Sequence, residues 1–187
     1  MIDYVRIFDN VFELDTLCYL LKYLNKIKFT PALISNEYKS NVVDKNVRDV
    51  GGHYFHCTND SMSDVFWANY LKKKSNELHS MYKGDFKTCK IKQWETFNVL
   101  KYDKNNFFKP HVDHGSDHPR TISLIYLLNN DYEGGDLIFF DQTKNNEEYV
   151  VEKKANRAII FPSNFIFKHT VTPVKKGTRF SIVGWGL

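Results

Sequence analysis

The chain has 187 residues, 42% of them hydrophobic, with 26 Lys+Arg against 22 Asp+Glu for a formal net charge of +4. That length suits one domain, 1–187, with an ample core and leaves little room for a second. The two signs of charge are interleaved, so no basic face is legible, and nucleic-acid binding is disfavoured.

In chain order, 5–8 is predicted as a short strand. Leu14, Leu17, Leu20, Leu21 and Leu24 recur at helical spacing and predict a first helix that runs out in the lysine-flanked stretch 25–28. Residues 29–58 are polar and irregular, with Pro31 and the Gly51-Gly52 pair as breakers, and are expected to be loop. Within them Tyr38 and Arg48 are the side chains weighed as substrate contacts. Asn59-Asp60-Ser61 forms the cap region of a second helix, whose apolar face is read as Met62, Phe66, Tyr70 and Leu78, with Lys72, Lys73 and Lys74 towards solvent.

From Lys90 the grammar changes. The stretches 93–102, 121–128, 137–140, 148–151, 158–161, 165–171 and 179–185 read as strands. Turn residues separate them, among them Asp103-Lys104-Asn105-Asn106, Glu133-Gly134-Gly135 and Lys175-Lys176-Gly177. Many short strands without intervening helices imply an antiparallel sandwich or jelly roll, its larger sheet covered on one face by the two early helices. The expected class is α+β, mainly β: helical support and loops over 1–89, a jelly-roll core over 90–187. The 16% aromatic content, with 15 Phe and 11 Tyr, fits a β-rich interior or a pocket wall.

Cys18, Cys57 and Cys89 are odd in number, far apart and without a Cys-x-x-Cys pair. They argue against a zinc ribbon or a disulfide framework and for a reducing, cytoplasmic setting. Residues 1–6 hold no signal-peptide core, and no apolar run is long enough to cross a bilayer, so a soluble protein without membrane partners is expected.

The chemistry gathers around Lys109-Pro110-His111-Val112-Asp113-His114. On an extended strand His111 and Asp113 leave the same face, giving a metal two ligands and leaving it short of a third. His169 follows the apolar Phe165-Ile166-Phe167 and is the candidate third, although a buried histidine with a satisfied hydrogen bond is the plainer reading of it alone. Arg179 is expected on the next strand, within hairpin distance of His169, with Ser181 on its face. Two histidines and one carboxylate are the facial set of non-haem Fe(II) oxygenases. A three-histidine zinc site from His111, His114 and His118 is the poorer alternative, because Gly115 and Pro119 oppose the helix that the spacing of the last two would need.

Tyr102 precedes His111-Val112-Asp113 and is followed by Arg120-Thr121-Ile122-Ser123, then by Leu128-Asn129 leading into Tyr132-Glu133-Gly134-Gly135-Asp136-Leu137. Further on come Ala158-Ile159-Ile160-Phe161-Pro162, His169-Thr170-Val171-Thr172-Pro173-Val174, Gly177-Thr178-Arg179 and Trp185. In this order and spacing the run resembles the prolyl 4-hydroxylase-like Fe(II)/2-oxoglutarate-dependent dioxygenases of the double-stranded β-helix superfamily. The similarity covers about half the chain, with a fainter echo at 5–12.

The resemblance implies Fe(II) bound by His111, Asp113 and His169, and Arg179 paired with the distal carboxylate of 2-oxoglutarate. It sets Tyr102 facing both. It also implies O2 as cosubstrate, succinate and CO2 as products, ascorbate as reductant, and peptidyl proline as the default substrate. A free amino acid or another small metabolite would use the same core. The chain departs from many relatives at Leu127, where they carry a tyrosine that helps hold the distal carboxylate. Ser181 could supply the missing hydroxyl, whereas Tyr126 should point the other way. Nucleic-acid demethylases of the superfamily carry a second arginine six after the first, and Trp185 stands there. The competing class is a non-catalytic jelly-roll module binding a metal or ligand. Leu127 favours it, and the joint presence of the three ligands and Arg179 opposes it.

Overall fold

The structure, a computed structural model, describes residues 1–36, 39–115 and 118–187, with the side chains of 35–41 left aside. Tyr38 lies outside the described residues.

Helix α1 spans Leu14–Leu24 and buries Leu17, Leu20 and Leu24. Helix α2 spans Met62–Asp85 and is capped by Ser61, whose hydroxyl accepts from Asp64 N at 3.3 Å. Such a cap contributes about 1 kcal/mol. The face that α2 buries shares Leu78 with the expected one and differs at Met62 and Phe66. Trp67, Ala68, Leu71, Ser75, Leu78 and Tyr82 point inward, while Met62 is 80% and Phe66 57% exposed. Helical periodicity allows either stripe, and the larger indole takes the core. Phe66 packs instead against the rings of Trp67 and Tyr70 at the surface.

Two antiparallel sheets form the body. In the seven-stranded sheet the order is Arg6–Asp9, Arg157–Pro162, Ile122–Leu127, Arg179–Gly186, Phe97–Tyr102, Gly51–Phe55 and Thr30–Pro31. In the five-stranded sheet it is Glu147–Val150, Leu137–Asp141, His169–Val171, Phe107–His111 and Arg48–Asp49. From Phe97 onward the chain passes repeatedly from one sheet to the other, which makes the fold a double-stranded β-helix carrying two helices.

Side-chain parity separates two cores. Phe97, Val99, Leu124, Tyr126, Ala158, Ile160, Phe180 and Ile182 face the helices. Leu100, Tyr102, Ile125, Leu127, Ile159, Phe161, Val183 and Trp185 face the opposing sheet. The central strands are therefore buried on both faces, and they read as apolar runs rather than alternations. Ser75 Oγ and Tyr126 Oη, 2.8 Å apart, tie α2 to the sheet. Tyr126 does point away from Leu127.

Two stretches differ from the sequence reading. The region 29–58 is not loop: Thr30–Pro31 and Gly51–Phe55 extend the large sheet, Arg48–Asp49 joins the small one, and Ile34–Asn36 pairs with Lys39–Val42. Its glycines serve close packing rather than a break, since a Cβ on Gly52 would stand 3.1 Å from that of Ala32. The stretch 165–171 is not one strand either. Phe165–Phe167 is a 3-10 turn capped by Asn164, and the strand is His169–Val171.

Candidate metal centre

His111 ends one strand and His169 begins its antiparallel neighbour, and the two are register partners. Each imidazole turns Nδ1 onto a backbone carbonyl two residues earlier, His111 to Lys109 O at 2.8 Å and His169 to Phe167 O at 2.9 Å. A carbonyl only accepts, so each Nδ1 carries a proton and Nε2 is the nitrogen turned to a metal. The strand stops at His111, and a bend, rather than strand alternation, brings Asp113 back to the rings. Its Oδ1 lies 3.6 Å from His111 Nε2 and its Oδ2 3.8 Å from His169 Nε2. The three donor atoms lie within 4.8 Å of one another, the one such cluster among the described residues. His114 turns Nδ1 to the Arg120 carbonyl at 2.9 Å instead, and neither it nor His118 joins.

Burial, with a second imidazole beside it, pushes His111 down to about 3, so the ring is neutral at pH 7 and free to ligate. Burial acting alone would raise Asp113. The two imidazoles and the Ser123 hydroxyl outweigh it and hold the carboxyl below its ordinary value. Ser123 Oγ donates to Asp113 Oδ2 at 2.6 Å and lies 2.8 Å from Ser163 Oγ. Sequence reasoning assigned Ser123 no role. Its signal was a small hydroxyl between Ile122 and Leu124 in an otherwise apolar strand.

On the facing sheet Arg179 and Tyr102 are register partners, with the guanidinium 4.8 Å over the phenol ring. Arg179 is 1% exposed, donates from Nη1 to Ser181 Oγ at 2.8 Å and leaves Nε without an acceptor. Leu127 lies opposite Ser181 in register. Arg179 and His169 are not hairpin neighbours as expected. They stand on opposite sheets, and Val174–Lys176, paired with Glu133–Gly134, intervenes. The site is thus built across the sandwich.

Arg48 arrives from the stretch read as loop. Its guanidinium lies 4.6 Å over Phe108, whose other neighbour is the His111 ring at 3.6 Å between centroids. Burial lowers its pKa. Trp185 is the register partner of Ser123 and carries the Arg120 guanidinium 3.7 Å over its ring, while Arg120 grips Glu95 through two hydrogen bonds of 2.8 Å.

The residues present fit the groups that such a site takes. Two imidazoles that offer Nε2 and a carboxylate are a donor set for Fe(II). A buried guanidinium with an unused N–H and no anion calls for a carboxylate, since desolvating an unpaired charge costs several kcal/mol.

A double-stranded β-helix whose small sheet carries two imidazoles, met by a carboxylate from the bend after the first, holds the donor set of the non-haem iron oxygenases. The family model described as the 2OG-Fe(II) oxygenase superfamily matches residues 97–186. A PKHD-type hydroxylase of Gloeothece citriformis is 31% identical over 171 residues, covering 87% of this chain and 68% of that protein. Among solved structures, the Trichoplax adhaerens prolyl hydroxylase in complex with a hypoxia inducible factor oxygen degradation domain peptide fragment superposes with a TM-score of 0.80. It is 18% identical, over 98% of this chain and 83% of that one. A Pseudomonas putida prolyl-4-hydroxylase gives 0.73 at 18% identity, over 98% and 92% of the two chains. The chain belongs to the 2OG-Fe(II) oxygenase superfamily, as a prolyl hydroxylase-like, 2-oxoglutarate-dependent dioxygenase. Membership implies Fe(II), 2-oxoglutarate and O2.

Proposed function

We propose that this protein hydroxylates a peptidyl prolyl residue while 2-oxoglutarate is decarboxylated to succinate and CO2. The observation that carries the reading is Arg179, a fully buried side chain with an unsatisfied Nε on the sheet opposite the strands of His111 and His169. On this reading those three residues hold Fe(II), and Arg179 holds the far carboxylate of 2-oxoglutarate, with Ser181 and Tyr102 beside it. A planar guanidinium suits that task because it grips a carboxylate bidentately and keeps its charge when buried.

The bound iron supplies the oxidising chemistry. The chain's own contribution is position and dryness. Lys109 O and Phe167 O fix both ring tautomers, Ser123 aims the carboxylate, and Phe139, Phe161, Val171 and Val183 exclude water from the space between the sheets. A peptide acceptor is supported by the Trichoplax adhaerens relative, which was solved with a peptide. Ascorbate as reductant belongs to the same proposal.

The test is an anaerobic titration with Fe(II) and then 2-oxoglutarate, followed by oxygen and a panel of proline-containing peptides with and without ascorbate. A visible charge-transfer band, lost in His169→Ala and weakened in Arg179→Ala, is expected, as is one added oxygen on proline by mass spectrometry. A band with an added oxygen only on a free amino acid would overturn the substrate. No band despite bound iron would sink the cosubstrate assignment.

A further inference from the structure

We infer that the Tyr132 hydroxyl is a second donor to the far carboxylate of the cosubstrate, in place of the hydroxyl missing at Leu127. The inference rests on the reading of Arg179 above and assigns a residue to which that reading gives no part.

Tyr132 is 7% exposed, and its Oη is buried without a hydrogen-bond partner. Nearly all buried polar groups in folded proteins are paired, so an orphan marks a missing partner. Arg179 Nε is a second orphan, and the two side chains flank one glycine. A Cβ on Gly135 would stand 3.1 Å from Arg179 Cδ and 3.2 Å from Tyr132 Cε2. The guanidinium can only donate, so a partner shared by both groups must be an acceptor. A carboxylate has the lone pairs to serve both.

The backbone holds Tyr132 in this place. Asn129 Nδ2 donates to Thr178 O at 2.7 Å and Asn129 Oδ1 accepts from Phe180 N at 2.8 Å, which clamps the segment before Tyr132 to the residues on either side of Arg179. Gly177, at φ +78, lets the chain pass so close that a Cβ would lie 3.1 Å from Tyr132 Cα. From outside, Lys153 Nζ lies 5.6 Å from the Tyr132 ring centroid while it pairs with Asp136. Ser181 Oγ already has a partner in Arg179, whereas the Tyr132 hydroxyl has none and adds a donor of its own.

Tyr132→Phe removes the hydroxyl and nothing else. The iron-loaded protein, titrated anaerobically, should bind 2-oxoglutarate about tenfold more weakly, as expected for one lost hydrogen bond to a charged group. Its Fe(II) affinity should stay unchanged. Binding of 2-oxopentanoate, which has the same chain length but no far carboxylate, should change by less than about twofold. The metal-free variant should melt at the wild-type temperature or above it, because it loses only an unsatisfied polar group. An unchanged 2-oxoglutarate affinity, or equal weakening of both ligands with a lower melting temperature, would overturn the role of Tyr132 and leave that of Arg179 standing. Absence of the band in the wild type would sink both.

Discussion

His111 and His169 face one another from adjacent strands with ring centroids 4.3 Å apart, and each is pinned by its Nδ1 to the carbonyl two residues before it. The shared arrangement turns both Nε2 lone pairs towards one carboxylate before any metal arrives. Such preorganisation lowers the cost of binding, because tautomer and ring orientation are already set.

Metal binding should therefore report directly on stability. At a hundredfold excess over Kd, Fe(II) should stabilise the wild type by about 2.7 kcal/mol, a rise of about 5–10 °C in Tm. In His169→Ala the rise should vanish while the metal-free Tm stays within a few degrees. Anaerobic differential scanning fluorimetry measures both, and a full Fe(II)-dependent rise in the variant would exclude His169 as a ligand.

Ser123 offers a finer test, because its hydroxyl bonds the carboxylate directly. Ser123→Ala removes the 2.6 Å hydrogen bond to Asp113 and should weaken Fe(II) binding about 10- to 100-fold without unfolding the chain. Calorimetric titration under argon gives the affinity directly.

Gly135 is required twice over. Its φ of +60 disfavours any side chain, and a Cβ would meet Val174 Cγ2 at 2.9 Å as well as Arg179 and Tyr132. Gly135→Ala should cost about 1–3 kcal/mol. It should also weaken 2-oxoglutarate binding, because Arg179 and Tyr132, 3.1 and 3.2 Å from the added carbon, are crowded along with Val174. Chemical denaturation and the anaerobic titration read the two effects separately.

Acid should release the edge strand. Hydrogen bonds from Arg157 and then Lys154 lower Asp9 from 3.8 to about 2. A depressed carboxyl stabilises the fold above its unfolded pKa, and that contribution is lost as pH falls from about 4 through 2. Asp9→Asn should accordingly lower Tm at pH 7, and the gap from wild type should close by pH 2. A gap that persists at pH 2 would mean that the asparagine perturbs packing instead.

Much of this was readable along the chain. Leucine spacing marked α1, Ser61 marked the start of α2, and turn residues separated most of the strands of the second half. His111, Asp113, His169 and Arg179 were singled out by the two-residue spacing of His111 and Asp113 and by the order of the motifs around them, since each alone had a plainer reading. The reading failed where a local signal had two outcomes. Periodicity could not choose between Phe66 and Trp67 for the core, and glycines at 51–52 could mean a break or close packing.

By itself, then, the sequence determined residue chemistry and element type, since both are encoded within a few neighbouring positions. Only the tertiary structure decided that Arg48 comes to rest on Phe108 beside His111, and that Arg179 stands on the sheet opposite the two histidines. It also set the Ser123 hydroxyl on Asp113 and turned the orphaned Tyr132 hydroxyl inward. Those relations depend on which distant strands pair and in what register, and burial of both faces of the central strands erases the alternation that would have shown it.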